Sequence, residues 1–234
     1  MLSAVIVPLV QVAALLAALA PAPRAEAAQA VELGGVTVHL ASGTTQVVTV
    51  NHTSGYYARV ALWVLRDGHW TRALHTADGR IGYGGLVVAD QRVQNTGTTP
   101  IGTFRLTSSF GTHPRRAAWH LPYRHIKPGD YWVGDNASRY YNRYRNKARG
   151  GFRWWLPADY PNGSERLADY PVQYEYAMNT SFNSHQVRHR GSAIFLHVNG
   201  DGSTAGCVSV PRWFMRALFV RLRPGNQPEI AISR

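Results

Sequence analysis

The fold depends most on residues 193–210, which read AIFLHVNGDGSTAGCVSV. An apolar strand ends near His197, a polar turn rich in Gly, Asn and Asp follows, and a short segment then carries Cys207. We expect the two flanks to pair as a hairpin centred near Gly202. Facing residues of such a pair have Cβ atoms about 5 Å apart, so the pattern predicts a contact between the cysteine and the histidine.

A contact between Cys207 and His197 would make the thiol a nucleophile. A free thiol has a pKa of about 8.5, so a neighbouring imidazole must take its proton at neutral pH and return it to a leaving amine. Gly206 lets the backbone approach a substrate, and N–H groups around the cysteine would form an oxyanion hole. The alternative is a structural, buried cysteine beside an unrelated histidine.

The rest of the chain predicts a β-rich body. Helical spacing occurs convincingly once, at Pro211–Leu222, and residues 112–163 show no lasting period, which indicates long loops with short elements. One β-rich domain over residues 31–234 is the economical interpretation. The predicted strands are Thr45–Val50, Ala58–Leu65, Trp70–His75, Leu86–Ala89, Ile101–Thr107, Val172–Asn179, Ser192–Val198 and Glu229–Ser233.

Residues 1–30 have the composition of a secretory signal peptide. An apolar run from Val5 to Ala20 leads into Ala-rich text with two A-x-A patterns. No Lys or Arg precedes the run, and an uncleaved membrane anchor is the alternative. The sequence therefore predicts export to the extracellular face of the cell envelope. A single cysteine in an exported protein forms no internal disulfide, which marks its thiol as a candidate for reactivity.

The net charge of +12 indicates an affinity for polyanions. Outside the membrane, anionic cell-wall polymers or anionic lipid are met more readily than nucleic acid, and a solvated basic surface with no specific partner is the alternative. We expect a monomer with no nucleic-acid partner. Ser138–Trp155 interleaves Arg and Lys with aromatic residues, a pattern also found in grooves for single-stranded nucleic acid. For an exported protein, a lid over the candidate site that binds anionic groups is a better interpretation than nucleic-acid binding, and a solvated loop with a few packed aromatic residues is the alternative.

No metal site or cofactor is expected. His185 and His189 stand four residues apart, but no helical pattern surrounds them and no acidic residue is near. Glu165, Asp169 and Glu175 are interpreted as surface or loop polarity, because nothing in the sequence holds two of them around a substrate.

Two motifs resemble one known family. His197 followed by TAGCV at 204–208 resembles the His…[Ser/Thr]-x-Gly-Cys signature of the L,D-transpeptidase (YkuD-like) catalytic domain. TPIGTF at 99–104 is similar to the Thr-Pro-x-Gly-x-Phe segment that opens a strand of that domain. The resemblance extends from Gln46 to Ile232. It implies a mainly β (β-rich α+β) fold, a mixed-sheet β-sandwich with long loops and one helix after the cysteine.

The resemblance also implies site residues. Cys207 would be the nucleophile, His197 the general base, and the backbone of Gly206 and Cys207 the oxyanion hole. No side chain next to the histidine orients it, so we expect a backbone carbonyl to do so.

Two positions depart from the family pattern. The family commonly has His where this chain has Ala205, and often Arg two residues after the cysteine, where Ser209 stands. Thr204, Ser209 and Arg212 are the expected substrate-binding residues, with the arginine as a substitute for the missing one.

The implied reaction is acyl transfer on peptidoglycan stem peptides. Cys207 attacks the L-centre carbonyl of the third residue of a tetrapeptide stem, expels D-Ala and forms a thioester. A side-chain amine of a second stem then forms a 3→3 cross-link; attack by water would instead make the enzyme an L,D-carboxypeptidase or endopeptidase. Ala205 and Ser209 also leave open a catalytically silent wall-binding module.

Overall fold

The computed structural model describes residues 29–234, so nearly all of the predicted signal peptide lies outside the described residues. This part of the chain contains fifteen strands. They are β1 (Gln29–Glu32), β2 (Thr37–Leu40), β3 (Gln46–Ser54), β4 (Tyr57–Arg66), β5 (His69–Arg80), β6 (Leu86–Val88), β7 (Thr99–Gly111), β8 (Tyr123–His125), β9 (Asp130–Trp132), β10 (Tyr144–Asn146), β11 (Glu165–Arg166), β12 (Ala177–Thr180), β13 (Phe195–Val198), β14 (Val208–Val210) and β15 (Glu229–Ser233).

Helix is sparse in residues 29–234. The one α-helix described there, α1, spans Arg212–Arg221 and follows Pro211 at its N-cap, which confirms the predicted helix. None of the described helices is long and apolar enough to cross a bilayer. The short 3-10 helices are Ala89–Gln91, Lys147–Arg149, Leu167–Asp169, Gln173–Glu175 and Pro224–Asn226.

Eight strands close into a circuit. Hydrogen-bonded neighbours follow the order β12-β13-β14-β5-β4-β3-β15-β7, and β7 pairs again with β12. The pairs β13/β14 and β3/β15 are parallel, and the remaining pairs of the circuit are antiparallel. The prediction of a mainly β fold with a mixed sheet, long loops and one helix after Cys207 is confirmed.

The largest core gathers one face of the circuit and the apolar face of α1. Phe214, Leu218 and Leu222 of the helix segment are fully buried in it. Their spacing at i, i+4 and i+8 puts them on one side of the helix. Burial of each such side chain contributes about 1.5–3 kcal/mol, so this contact anchors α1 against β13 and β5.

The predicted hairpin around Gly202 is wrong. β13 and β14 are parallel, with His197 opposite Ser209. The chain between them therefore runs back along the sheet before β14 begins. Arg80 Nη1 donates to the carbonyl oxygens of Gly200 and Gly202 at 2.6 and 3.2 Å, which holds the turn beside β5.

The other differences between the structure and the sequence predictions concern short helices and strands. The segment Val172–Asn179, predicted as one strand, contains the 3-10 turn Gln173–Glu175 before β12 begins. Tyr174 in that turn is buried, and its ring packs edge-on against Phe195. The hairpin β1/β2 and the small sheet β10-β9-β11 were not predicted, because strands of two to four residues show too little alternation.

Candidate active site around Cys207

The strand pair β13/β14 has two chemically different faces, because successive side chains of a strand point to opposite sides. The face towards α1 is purely apolar and belongs to the main core. It consists of Leu196, Val198, Val208 and Val210. The opposite face carries Phe195 and His197, and the register places Cys207 and Ser209 beside them.

A cavity of about 550 Å³ opens on this second face. Cys207 and His197 both line it. The register aligns the cysteine with Phe195, so the histidine, two residues further along β13, is its diagonal neighbour. Diagonal neighbours on a sheet lie roughly 7 Å apart at the backbone, within reach of side chains that lean together. The two residues thus line one cavity from a parallel pair rather than from a hairpin, and within residues 29–234 the thiol is hydrogen-bonded to the backbone and not to the imidazole.

The Cys207 thiol is buried and held by two backbone groups. Sγ donates to the Ala193 carbonyl oxygen at 3.1 Å and accepts from the Phe195 N–H at 3.3 Å. Burial raises the pKa of the thiol to about 12, and the negative charge of Glu165 adds to the rise. The Phe195 N–H and the positive charge of Arg92 oppose it. The thiol is therefore neutral at neutral pH in the free protein.

His197 is oriented by the backbone, as expected. Its Nδ1 lies 2.8 Å from the Val198 carbonyl oxygen, which can only accept, so Nδ1 carries the proton of the neutral ring. Nε2 is then left as a proton acceptor. Burial lowers the pKa of the imidazole to about 4. Thiol and imidazole therefore rest as a neutral pair and not as an ion pair.

Two threonines hold the carbonyl of Cys207. The hydroxyls of Thr204 and Thr99 donate to it at 2.7 and 3.4 Å. Thr99 Oγ1 also accepts from the Gly82 N–H at 2.8 Å. The two sequence motifs, which lie about a hundred positions apart, thus meet at one peptide group. Thr204 lines the cavity, and its hydroxyl holds the backbone on both sides of Gly206.

The expected oxyanion amides are not equivalent. The Gly206 N–H donates to Thr204 Oγ1 at 3.1 Å. The Cys207 N–H has no hydrogen-bond acceptor among residues 29–234. Gly206 has φ +125°, and a Cβ there would lie 2.8 Å from the Thr98 carbonyl oxygen and 2.9 Å from Arg92 Nη2. Only glycine fits this position, because the backbone conformation and the close neighbours both exclude a side chain.

Arg92 is a site residue that the sequence did not reveal. It lines the cavity with only 5% of its surface exposed. Its Nε donates to the Thr98 carbonyl oxygen at 2.8 Å and its Nη1 to the Arg190 carbonyl oxygen at 3.1 Å. Within residues 29–234 it has no carboxylate partner, so its charge acts on the cavity. No local motif surrounds Arg92, and only the fold brings it to Gly206.

The interpretation of the three carboxylates as surface or loop polarity is wrong for Glu165. This residue lines the cavity, and the Tyr174 hydroxyl donates to its Oε1. Burial raises the pKa of the carboxyl to about 7. Asp169 pairs with Arg166 at the surface, as the interpretation required. Glu175 is mostly buried and bridges outward to other side chains.

Ser209 and Arg212 do not line the cavity. The serine is completely buried, and its Oγ has no hydrogen-bond partner in the described part of the chain. The guanidinium of Arg212 forms an ion pair with Glu175, away from the thiol. Ala205 does line the cavity, so the small side chain leaves room where the family commonly has histidine.

The basic segment Ser138–Trp155 contributes no residue to the cavity lining. Three of its cations, Arg139, Arg145 and Lys147, stack on aromatic rings of the same segment, with Arg145 over Tyr140 at 3.5 Å. Its buried Asn142 accepts from the Ala193 N–H at 3.2 Å and so supports the residue that holds the thiol. The neighbouring segment 158–174 borders the cavity instead. Across residues 29–234, no three His, Cys, Asp or Glu side chains converge to hold a metal ion.

Two comparisons with known proteins give a match over most of the chain. The crystal structure of a mutant of the helical cell shape determining protein Pgp2 from Campylobacter jejuni is similar at 14% identity and a TM-score of 0.41, covering 81% of this chain. This chain spans about half of that protein, 47% of its length. No curated protein matches. The family model described as the L,D-transpeptidase catalytic domain (YkuD) matches residues 45–230, and the chain therefore belongs to that family.

Proposed function

We propose that this protein forms 3→3 cross-links in peptidoglycan through a thioester on Cys207. Its family consists of cysteine-dependent L,D-transpeptidases that act on peptidoglycan. The observation that carries the proposal is the shared face of β13/β14, where the chain's single cysteine and His197 line one cavity. A catalytically silent module would have no use for a thiol and an imidazole with an unprotonated Nε2 in the same cavity.

The first half of the reaction begins from the neutral pair. His197 Nε2 takes the proton as Sγ attacks the L-centre carbonyl of the third stem residue. The resulting imidazolium gives that proton to the departing amine of D-Ala, and it does so readily because burial holds the imidazole pKa at about 4. The products are a thioester and free D-Ala.

The developing oxyanion needs donors that are already in place. The Cys207 N–H is the proposed donor, since it has no protein acceptor among residues 29–234. The Gly206 N–H already donates to Thr204, so the proposed role of Gly206 is to let the substrate come close to the backbone. The proposed role of Thr204 is to hold the loop that carries Cys207. Arg92 supplies positive charge beside Cys207, whereas Arg212, which was expected to bind substrate, does not line the cavity.

We also propose that the protein is exported and consists of a signal peptide followed by one catalytic domain. Peptidoglycan lies outside the cytoplasmic membrane, which supports an exported protein with a signal peptide at residues 1–30 and a catalytic domain at 31–234. The arginines of Ser138–Trp155 support contact with anionic cell-wall polymers, and we propose a monomer.

The test is to incubate the purified protein with a tetrapeptide-stem muropeptide and follow intact mass and products. Wild-type protein should gain an acyl adduct, release D-Ala and form a cross-linked dimer, and Cys207→Ala should do none of these. Release of D-Ala with only tripeptide product would identify an L,D-carboxypeptidase. A folded wild-type protein with neither adduct nor turnover would overturn the proposal in favour of a binding module.

A further inference from the structure

One ionisable pair in the cavity has no role in the first half of the reaction. Glu165 and Tyr174 line the cavity together with Cys207 and His197. The tyrosine hydroxyl donates to Glu165 Oε1. The tyrosine ring lies edge-on to the imidazole, with ring centroids 5.4 Å apart. One aromatic side chain therefore connects the carboxyl group to the proposed general base.

Glu165 is held in place by backbone pairing as well as by Tyr174. It begins β11, where it pairs with Trp132 of β9. Leu167, two residues after Glu165, is completely buried beside Tyr174 and Phe195. A carboxyl group fixed on a strand and bound by a buried tyrosine keeps a defined direction, as a group that positions a substrate must.

The carboxylate has no cationic partner in the protein. Within residues 29–234, no Lys, Arg or His side chain lies within ion-pair distance of Glu165. A carboxylate held in a poorly solvated cavity without a counter-charge is costly, so it either keeps a proton or awaits a cation. Its pKa of about 7 places it between these two states at neutral pH.

The charge of Glu165 works against the first half of the reaction. It disfavours the thiolate of Cys207 and so raises the pKa of the thiol. Once the thioester has formed, the sulfur is neutral and this penalty disappears. A negative group that hinders acylation but not the following step is suited to a positively charged second substrate.

Building on the proposed function, we propose that Glu165, positioned by Tyr174, binds the ammonium group of the acceptor stem and takes its first proton. The carboxylate removes one proton from R–NH3+ and becomes the neutral acid. The amine nitrogen then attacks the thioester carbonyl, its second proton passes through His197 to sulfur as the C–S bond breaks, and an amide and the free thiol result. The acid later returns its proton to water.

This assignment makes Glu165 the residue that directs the thioester to amine rather than water. An ammonium group gains from a nearby carboxylate, whereas neutral water does not. His197 is poorly suited to this first deprotonation, because burial holds its pKa at about 4. The carboxyl group is the stronger base of the two in this cavity.

The experiment compares acylation and partition in wild type, Glu165→Gln and Tyr174→Phe. With tetrapeptide donor and a stem acceptor, D-Ala release reports acylation, and the ratio of dimer to tripeptide reports partition. Glu165→Gln should lower that ratio at least tenfold and raise the acceptor KM, with D-Ala release no slower than in wild type. Tyr174→Phe should shift the ratio in the same direction by a smaller factor. Asp159→Asn, which removes another cavity carboxylate, is the matched control and should leave the ratio unchanged.

A neutral nucleophile separates charge recognition from a general loss of structure. Hydroxylamine, uncharged at pH 8, should capture the thioester equally well in wild type and Glu165→Gln. An unchanged dimer-to-tripeptide ratio, or an equal loss with hydroxylamine, would overturn this inference alone. A wild-type thioester that only hydrolyses, or the absence of any wild-type thioester, would instead overturn the proposed cross-linking function.

Discussion

The two faces of β13/β14 show how one pair of short strands serves two purposes. The face towards α1 carries only Leu and Val and is completely packed. The other face carries Cys207 and His197, which are nearly as well buried, with 7% and 6% of their surface exposed. The difference between the faces is therefore chemistry and not burial. An apolar face stabilises the strands, and a polar face of similar burial shifts the pKa of every ionisable group on it.

The largest expected effect comes from removing the nucleophile on the cavity face. Cys207→Ala should lower D-Ala release by at least about 10⁴-fold, because the reaction has no other thiol. The free energy of unfolding should change by no more than about 1 kcal/mol, as only a small side chain is lost. Product assays and urea denaturation measure the two quantities. Turnover close to wild type would show that another residue is the nucleophile.

A substitution in the core behind the apolar face should lower stability and leave activity unchanged, the opposite of Cys207→Ala. Leu218 of α1 is fully buried in the core behind the strand pair. Leu218→Ala should lower the free energy of unfolding by about 2–5 kcal/mol through lost burial and a cavity. D-Ala release per folded molecule should stay close to wild type under conditions where the variant is folded. A fully stable variant with no turnover would contradict the separation of the two faces.

A smaller effect concerns the ionisation of the thiol. Because the pKa of the Cys207 thiol is raised to about 12, the thiolate fraction is small at neutral pH and increases as the pH rises. Alkylation by iodoacetamide should therefore rise about tenfold per pH unit between pH 7 and pH 9, followed by intact mass. The urea-unfolded protein is the control, and its rate should level off near pH 9. A rate in the folded protein that is already level at pH 7 would indicate a thiolate–imidazolium ion pair.

The smallest expected effect is on the loop that presents the thiol. Thr204→Val removes the hydroxyl that holds the Cys207 carbonyl and binds the Gly206 N–H. Acylation should fall by about tenfold and stability by about 1 kcal/mol, because two hydrogen bonds near the cavity are lost. Thr204→Ser keeps the hydroxyl and should retain most of the wild-type rate. Equal losses in both variants would assign the effect to the methyl group.

The sequence was informative wherever pattern and chemistry coincide over a short stretch. The spacing of Phe214, Leu218 and Leu222 predicted α1, and segments rich in Val and aromatic residues between turn residues predicted the long strands of the circuit. The Cys207 and His197 motifs predicted a shared site, but the strands that carry them were predicted to be antiparallel and are parallel. Parallel and antiparallel pairing depend on where the turn is anchored, and that anchor, Arg80, lies more than a hundred residues away in the chain.

By itself the sequence determined the fold class, the helix behind the site and the identity of the candidate nucleophile, because local propensity and side-chain chemistry carry that information. Only the tertiary structure decided that Arg92 and Glu165 line the same cavity while Ser209 and Arg212 do not. The physical reason is that the charge state of a buried group depends on its solvent exposure and on neighbours from distant segments. Neither quantity is encoded in the residues that flank it.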